Sequence, residues 1–178
     1  MTSRLSATDW TDGALDLLRI EGVAALGINR LCEHLGVTRG SFYWHFADLG
    51  ALKEAVTERW CADTRTALES FASLDRLPPV ERLRAMTLRL LDEDSASVER
   101  ALRAWARTDE RVAGVVAEAD LAVFGSVQGA LVELGRGPEE ARVLAGLLVY
   151  AGIGFAHGEA GLPRPTVAEV DRLLGLIV

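Results

Sequence analysis

Gly36-Val37-Thr38-Arg39-Gly40-Ser41-Phe42-Tyr43-Trp44-His45-Phe46 is the stretch on which the fold turns. It combines a glycine suited to a sharp turn, a threonine suited to capping a helix, a glycine just inside that helix, and a run of rings. Phe42 and Phe46 are four apart, so they share a helical face and are expected in the core. Tyr43, Trp44 and His45 are then left for the surface. A purely structural helix has little use for three such side chains exposed together; a helix that lies on a nucleic acid does. Gly40 in a helix costs about 1 kcal/mol relative to Ala. Its use would be close approach of the backbone to a phosphate or base.

Working outward, Ile28, Leu31, Cys32 and Leu35 keep the i, i+3, i+4, i+7 spacing of a short helix that ends at Gly36. Before it, Ser6 with Asp9 predicts a capped start, with Leu5 and Trp10 as a hydrophobic staple. Trp10, Ala14, Leu17 and Leu18 mark one apolar face, and Gly22 ends this first helix. Two short helices joined by a glycine turn and braced by a longer one describe a helix-turn-helix. Its second helix, Arg39 to Phe46, would enter the major groove.

The rest of the chain also reads as helix, with no convincing strand alternation. A fourth helix begins near Leu49, with Leu52, Val56 and Trp60 inward. Pro78-Pro79 opens the second half. Leu83 and then Val98, Ala101, Leu102 and Trp105 mark the fifth and sixth helices, and Asp109 can cap a long seventh. Gly135-Arg136-Gly137-Pro138 is a loop before the eighth. Thr166-Val167-Ala168-Glu169 is a capping box that opens the last. The expectation is an all-α protein of about nine helices.

Composition narrows the function. The 178 residues carry a net charge of −7, which argues against indiscriminate nucleic-acid binding. The first 60 residues hold 6 Lys and Arg against 8 Asp and Glu, so a DNA site there must use a few placed cations. Cys32 and Cys61 have no metal-ligand spacing and are expected as buried hydrophobes; no metal and no cofactor is expected. The three histidines, His34, His45 and His157, lie near no plausible nucleophile-acid pair. There is no phosphate loop and no G-x-S-x-G elbow, so an enzyme is not expected. No apolar run approaches the roughly 20 residues of a membrane span, and the start lacks a secretory apolar stretch. A cytoplasmic protein without membrane contact is expected.

Residues 5–60 resemble the DNA-binding domain of TetR-type transcriptional regulators. The matching pieces are Glu21-Gly22, then Leu31-Cys32-x-x-Leu35-Gly36-Val37-Thr38, then Gly40-Ser41-Phe42-Tyr43-x-His45-Phe46 and on through Leu52. The resemblance implies that Tyr43, His45, Thr38 and Ser41 hold phosphates and that Gly40 lets the backbone approach. Arg39 and Trp44 occupy variable positions and are the candidates for base contacts; Arg39 could meet guanine O6 and N7. Asn29 is at a position that sometimes reads bases, and Arg4 could reach a phosphate or the minor groove. Two departures stand out. Leu49 occupies the position of the usual lysine clamp, with Lys53 one turn later, and Gly27 stands where a hydroxyl residue is usual. Both losses remove phosphate contacts and predict a shallow salt dependence.

The resemblance also assigns residues 1–48 to DNA binding and 49–178 to effector binding and dimerisation. Small residues and Leu148, Gly152, Phe155, Leu173, Leu174 and Ile177 on the last two helices are expected at a homodimer interface. Trp60, Met86, Trp105, Asp120, Phe124 and Tyr150 are candidates for a pocket that takes a hydrophobic small-molecule effector. The expected function is a dimeric, ligand-responsive repressor on a palindromic double-stranded DNA operator. The competing expectation is a helical protein-interaction module whose DNA binding is weakened or lost.

Overall fold

The computed structural model describes residues 5–91, 93–157, 163 and 165–177. Among them the regular structure is entirely helical: α1 (Ala7–Glu21), α2 (Ile28–Leu35), α3 (Arg39–Tyr43), α4 (Leu49–Phe71), α5 (Pro79–Leu91), α6 (Glu93–Ala106), α7 (Glu110–Glu133), α8 (Pro138–His157) and α9 (Val167–Ile177). Short 3-10 turns cover Val23–Ala25 and Ala72–Arg76.

The helix boundaries follow local chemistry. The Ser6 hydroxyl accepts from the Asp9 amide, while the Asp9 carboxylate accepts from the Ser6 amide at 2.7 Å. Those donations hold the Asp9 carboxyl below its ordinary range. Thr166 and Glu169 repeat the arrangement at α9. Gly36 ends α2 in the left-handed region at φ 66°, where a side chain would be strained. Thr38 then caps α3 through the Ser41 amide. The α3 helix is shorter than expected: regular geometry stops at Tyr43. One further helical bond, from the Phe46 amide to the Phe42 carbonyl at 3.0 Å, carries Phe46 back under it.

Two apolar clusters organise the molecule. The first joins Trp10, Leu17, Leu31, Phe42 and Phe46 to Leu52 and Val56 of α4, and also to Leu102, Trp105, Val112 and Val115. The second gathers Leu83, Met86, Val127, Leu131, Ala145, Val170 and Leu174. Helix α4 therefore belongs to both halves of the chain, and the packing has no seam at residue 48. Helix α7 is long and apolar enough, by length and composition, to cross a membrane, contrary to the sequence expectation. In this fold it is the central helix, with α4, α5, α6 and α8 packed on it.

Candidate nucleic-acid interface

Phe42 is fully buried and meets the Trp10 ring edge-on at 5.5 Å. Phe46 stacks 5.7 Å from Phe42. These contacts anchor α3 and turn its remaining side chains outward. Tyr43 is 52% exposed and Trp44 76% exposed, a large apolar area to leave in water without a use. Arg39, Gly40 and Thr38 are also exposed, and Ser41 is half-buried. Arg39 makes no ion pair among the described residues, so its five N–H donors are not committed to a carboxylate there. A Cβ at Gly40 would meet nothing closer than the Thr38 hydroxyl at 3.7 Å. The fold itself does not demand glycine there, which leaves an external approach as its reason.

His45 is placed differently from its neighbours. Its ring lies 6.4 Å from Trp10 and 6.5 Å from Phe46, and Nε2 is buried without a hydrogen-bond partner. Any phosphate contact by His45 therefore falls to Nδ1. Asn29 is exposed on the first turn of α2. Arg30 beside it is committed to Glu21 through both carboxylate oxygens and to Glu33. The Arg30 guanidinium holds the Glu21 carboxyl below its ordinary range. Arg4 lies outside the described residues.

The start of α4 carries a feature that the sequence reading missed. The Asp48 carboxylate accepts the Ala51 amide at 2.8 Å and caps the helix, while Leu49 packs against the first cluster. A carboxylate thus stands beside Leu49, where the resemblance leads to the expectation of a lysine. Asp immediately before a helix start was the legible signal. Lys53, one turn on, is exposed and makes no ion pair among the described residues. Gly27 precedes α2 with no side-chain cap bond.

Below this head lies a cavity of about 580 Å³ walled by α4 to α9 and touched by Arg19 of α1. Trp60, Met86 and Asp120, three of the pocket candidates, line it. Trp105, Phe124 and Tyr150 do not. Trp105 is buried in the first cluster and borders a smaller cavity against α1. Phe124 packs on the second cluster. Tyr150 is 77% exposed. The expected dimer residues also divide. Leu148, Gly152 and Leu174 face the cavity, and Ile177 packs on the second cluster. Phe155 and Leu173 are exposed, together with Val143, Leu147 and Leu176. Helix α8 is apolar on most of its circumference, so spacing alone does not choose the face that turns inward.

Comparison with known proteins agrees with this geometry. Residues 11–56 match the family of bacterial regulatory proteins, tetR family. Tetracycline repressor protein class A from transposon 1721 of Escherichia coli is 43% identical over 53 residues, which are 30% of this chain and 24% of that protein. The match thus spans about a quarter of that relative. Over the whole chain, the fold is similar to a transcriptional regulator from Rhodococcus sp. Rha1, at TM-score 0.68, 20% identity and coverage of 97% and 96% of the two chains. It is also similar to a regulator of the TetR/AcrR family from Thermobifida fusca, at TM-score 0.56, 18% identity and coverage of 96% and 95%. Residues 11–56 are thus similar to the DNA-binding segment of the tetR family, and the chain as a whole shares the all-helical fold of these solved regulators.

Proposed function

We propose that the chain is a cytoplasmic, homodimeric, ligand-responsive repressor that reads a palindromic double-stranded DNA operator with α3 and touches no membrane. The observation that carries this reading is the outward face of α3, where Arg39, Tyr43 and Trp44 are exposed above the buried anchors Phe42 and Phe46. Arg39 and Trp44 contact bases. Thr38, Ser41, Tyr43 and His45 hold phosphates around Gly40, and Lys53 adds one cation. Asn29 and Arg4 are further contacts. A single short helix reads few base pairs, so specificity needs two copies about 34 Å or more apart. The exposed apolar side chains of α8 and α9, with Phe155 and Leu173 among them, support pairing through those helices. The cavity supports an apolar effector, because its volume lies in the range of small-molecule sites. Effector binding lowers operator affinity only to the extent that it favours a state with a different separation of the two reading helices.

The test is selection of bound genomic fragments by the purified protein, followed by gel shift at several salt concentrations. Enrichment of a two-fold symmetric site with a shallow salt slope is expected, since Leu49, Asp48 and Gly27 supply no phosphate clamp. A steep slope would remove the weak-clamp part of the reading. Failure to enrich any fragment would favour the protein-interaction module, which the acidic start of α4 also suits.

A further inference from the structure

The large cavity is mostly apolar, yet one charged cluster is built into its wall. Arg103 of α6 donates from Nη1 and Nη2 to the two oxygens of Asp120 on α7, at 3.0 and 2.5 Å. Its Nε donates to Glu99 at 2.5 Å. All three residues line the cavity, and none is fully exposed. The hydrogen bonds it donates to Asp120, with the charges of the two neighbouring carboxylates, hold the Arg103 guanidinium above its ordinary range, against burial. Two carboxylates share one guanidinium, so among the described residues the cluster sums to one negative charge, with Arg103 19% and the two carboxylates each 36% exposed at the cavity. That surplus charge favours a cation over an anion beside it.

Among the described residues, Glu99 and Asp120 are ion-paired to Arg103 and to no other cation of the wall. Arg19 is tied to Asp16 at 2.6 Å, and Asp63 to Arg59 at 2.8 Å. Arg89 reaches the rim from α5 and is exposed, so solvent screens it. Each carboxylate retains acceptor capacity beyond its bonds to Arg103. An anionic ligand would have to take Arg103 from two carboxylates already seated on it. A cationic nitrogen needs to displace neither.

We propose that the effector is an apolar, ring-sized molecule bearing a protonated nitrogen, with that nitrogen seated between Glu99 and Asp120. This deepens the reading of the cavity as an effector site and rests on it. The test uses three probes of matched shape on the purified full chain: 2-naphthylmethylamine, 2-naphthalenemethanol and 2-naphthoate, followed by calorimetric titration. The ammonium is expected to bind about tenfold tighter than the alcohol, as one charge-assisted hydrogen bond provides, and the carboxylate weakest. Asp120→Asn and Glu99→Gln, made separately, should each shrink the ammonium-to-alcohol ratio. Equal or tighter binding of naphthoate overturns the cationic assignment while leaving the cavity as an effector site. A ratio unmoved by both variants does the same. Absence of heat for all three probes overturns the cavity reading and the proposal with it.

Discussion

At the scale of single residues, function divides along one short helix according to what each side chain can touch. Arg39 and Tyr43 are exposed and bear little of the fold's packing, so replacing them should change DNA binding and not stability. Arg39→Ala should cost about 1–3 kcal/mol on the selected operator and relax preference at one base pair. Its melting temperature should stay close to that of the parent protein, since surface changes of this kind move stability by about 0.5 kcal/mol or less. Fluorescence anisotropy on operator variants, beside a thermal melt, measures both. A melt that collapses with Arg39→Ala would show that the side chain is structural. Tyr43→Phe should weaken all sequences alike, because a phosphate contact carries no base information. The burial of Phe42 and Phe46 and the exposure of Tyr43 were legible from spacing. The inward turn of the His45 Nε2 was not, because it depends on Trp10, thirty-five positions earlier in the chain.

At the scale of elements, the caps give a pH dependence with a definite sign. Asp9 and Glu169 both have carboxyls lowered from their ordinary values, 3.8 and 4.5, by donation from Ser6 and Thr166. A lowered folded pKa means that the stabilisation is complete above the ordinary value, where the unfolded chain is also ionised. It is lost as pH falls through the lower folded value. The melting temperature should therefore drop as pH passes below 4.5, and the drop should be shallower in Glu169→Gln. Calorimetry across that range checks the direction. Arg82 makes a different case. It is 3% exposed, donates to Glu133 at 2.9 Å, and leaves Nε without a partner. The carboxylates of Glu133 and Asp75 are half-exposed, so removing Arg82 leaves them in water. Arg82→Met should cost less than about 1 kcal/mol, whereas Arg82→Ala, which opens a void, should cost about 2–4. Urea titration separates the two. Equal losses would show that the ion pairs, not the side-chain volume, carry the stability.

At the scale of the whole molecule, the exposed apolar strip on α8 and α9 is the surface that a second copy would cover. Leu147 and Leu176 are 66% and 82% exposed, more than any buried contact within the chain would allow. Leu147→Glu should shift the mass in light scattering from twice 19.2 kDa to 19.2 kDa. Binding to a full operator should fall at least tenfold, since the two reading heads no longer act as one ligand, while a half-site is bound as before. A variant that stays dimeric would move the interface to another face. Helix α6 lines the large cavity and also packs on α1 and on the turn at Val23–Ala25, so it is the shared wall between the cavity and the α1–α3 head.

The sequence by itself determined what is decided within a turn or two of chain. It settled the caps at Ser6 and Thr166, the left-handed turn at Gly36, the paired anchors Phe42 and Phe46, and the exposed Tyr43 and Trp44. These follow from i, i+3 and i+4 geometry, which is the same wherever the helix sits. The tertiary structure alone decided which side of α8 faces the cavity, so that Leu148 and Gly152 turned inward and Tyr150 outward. It also decided that Trp105 belongs to the core of the DNA-reading half, and that Arg103 meets Asp120 across two helices. A helix apolar on most of its surface has no preferred face of its own. Its orientation is set by the volumes and charges of distant partners, and no local pattern encodes those.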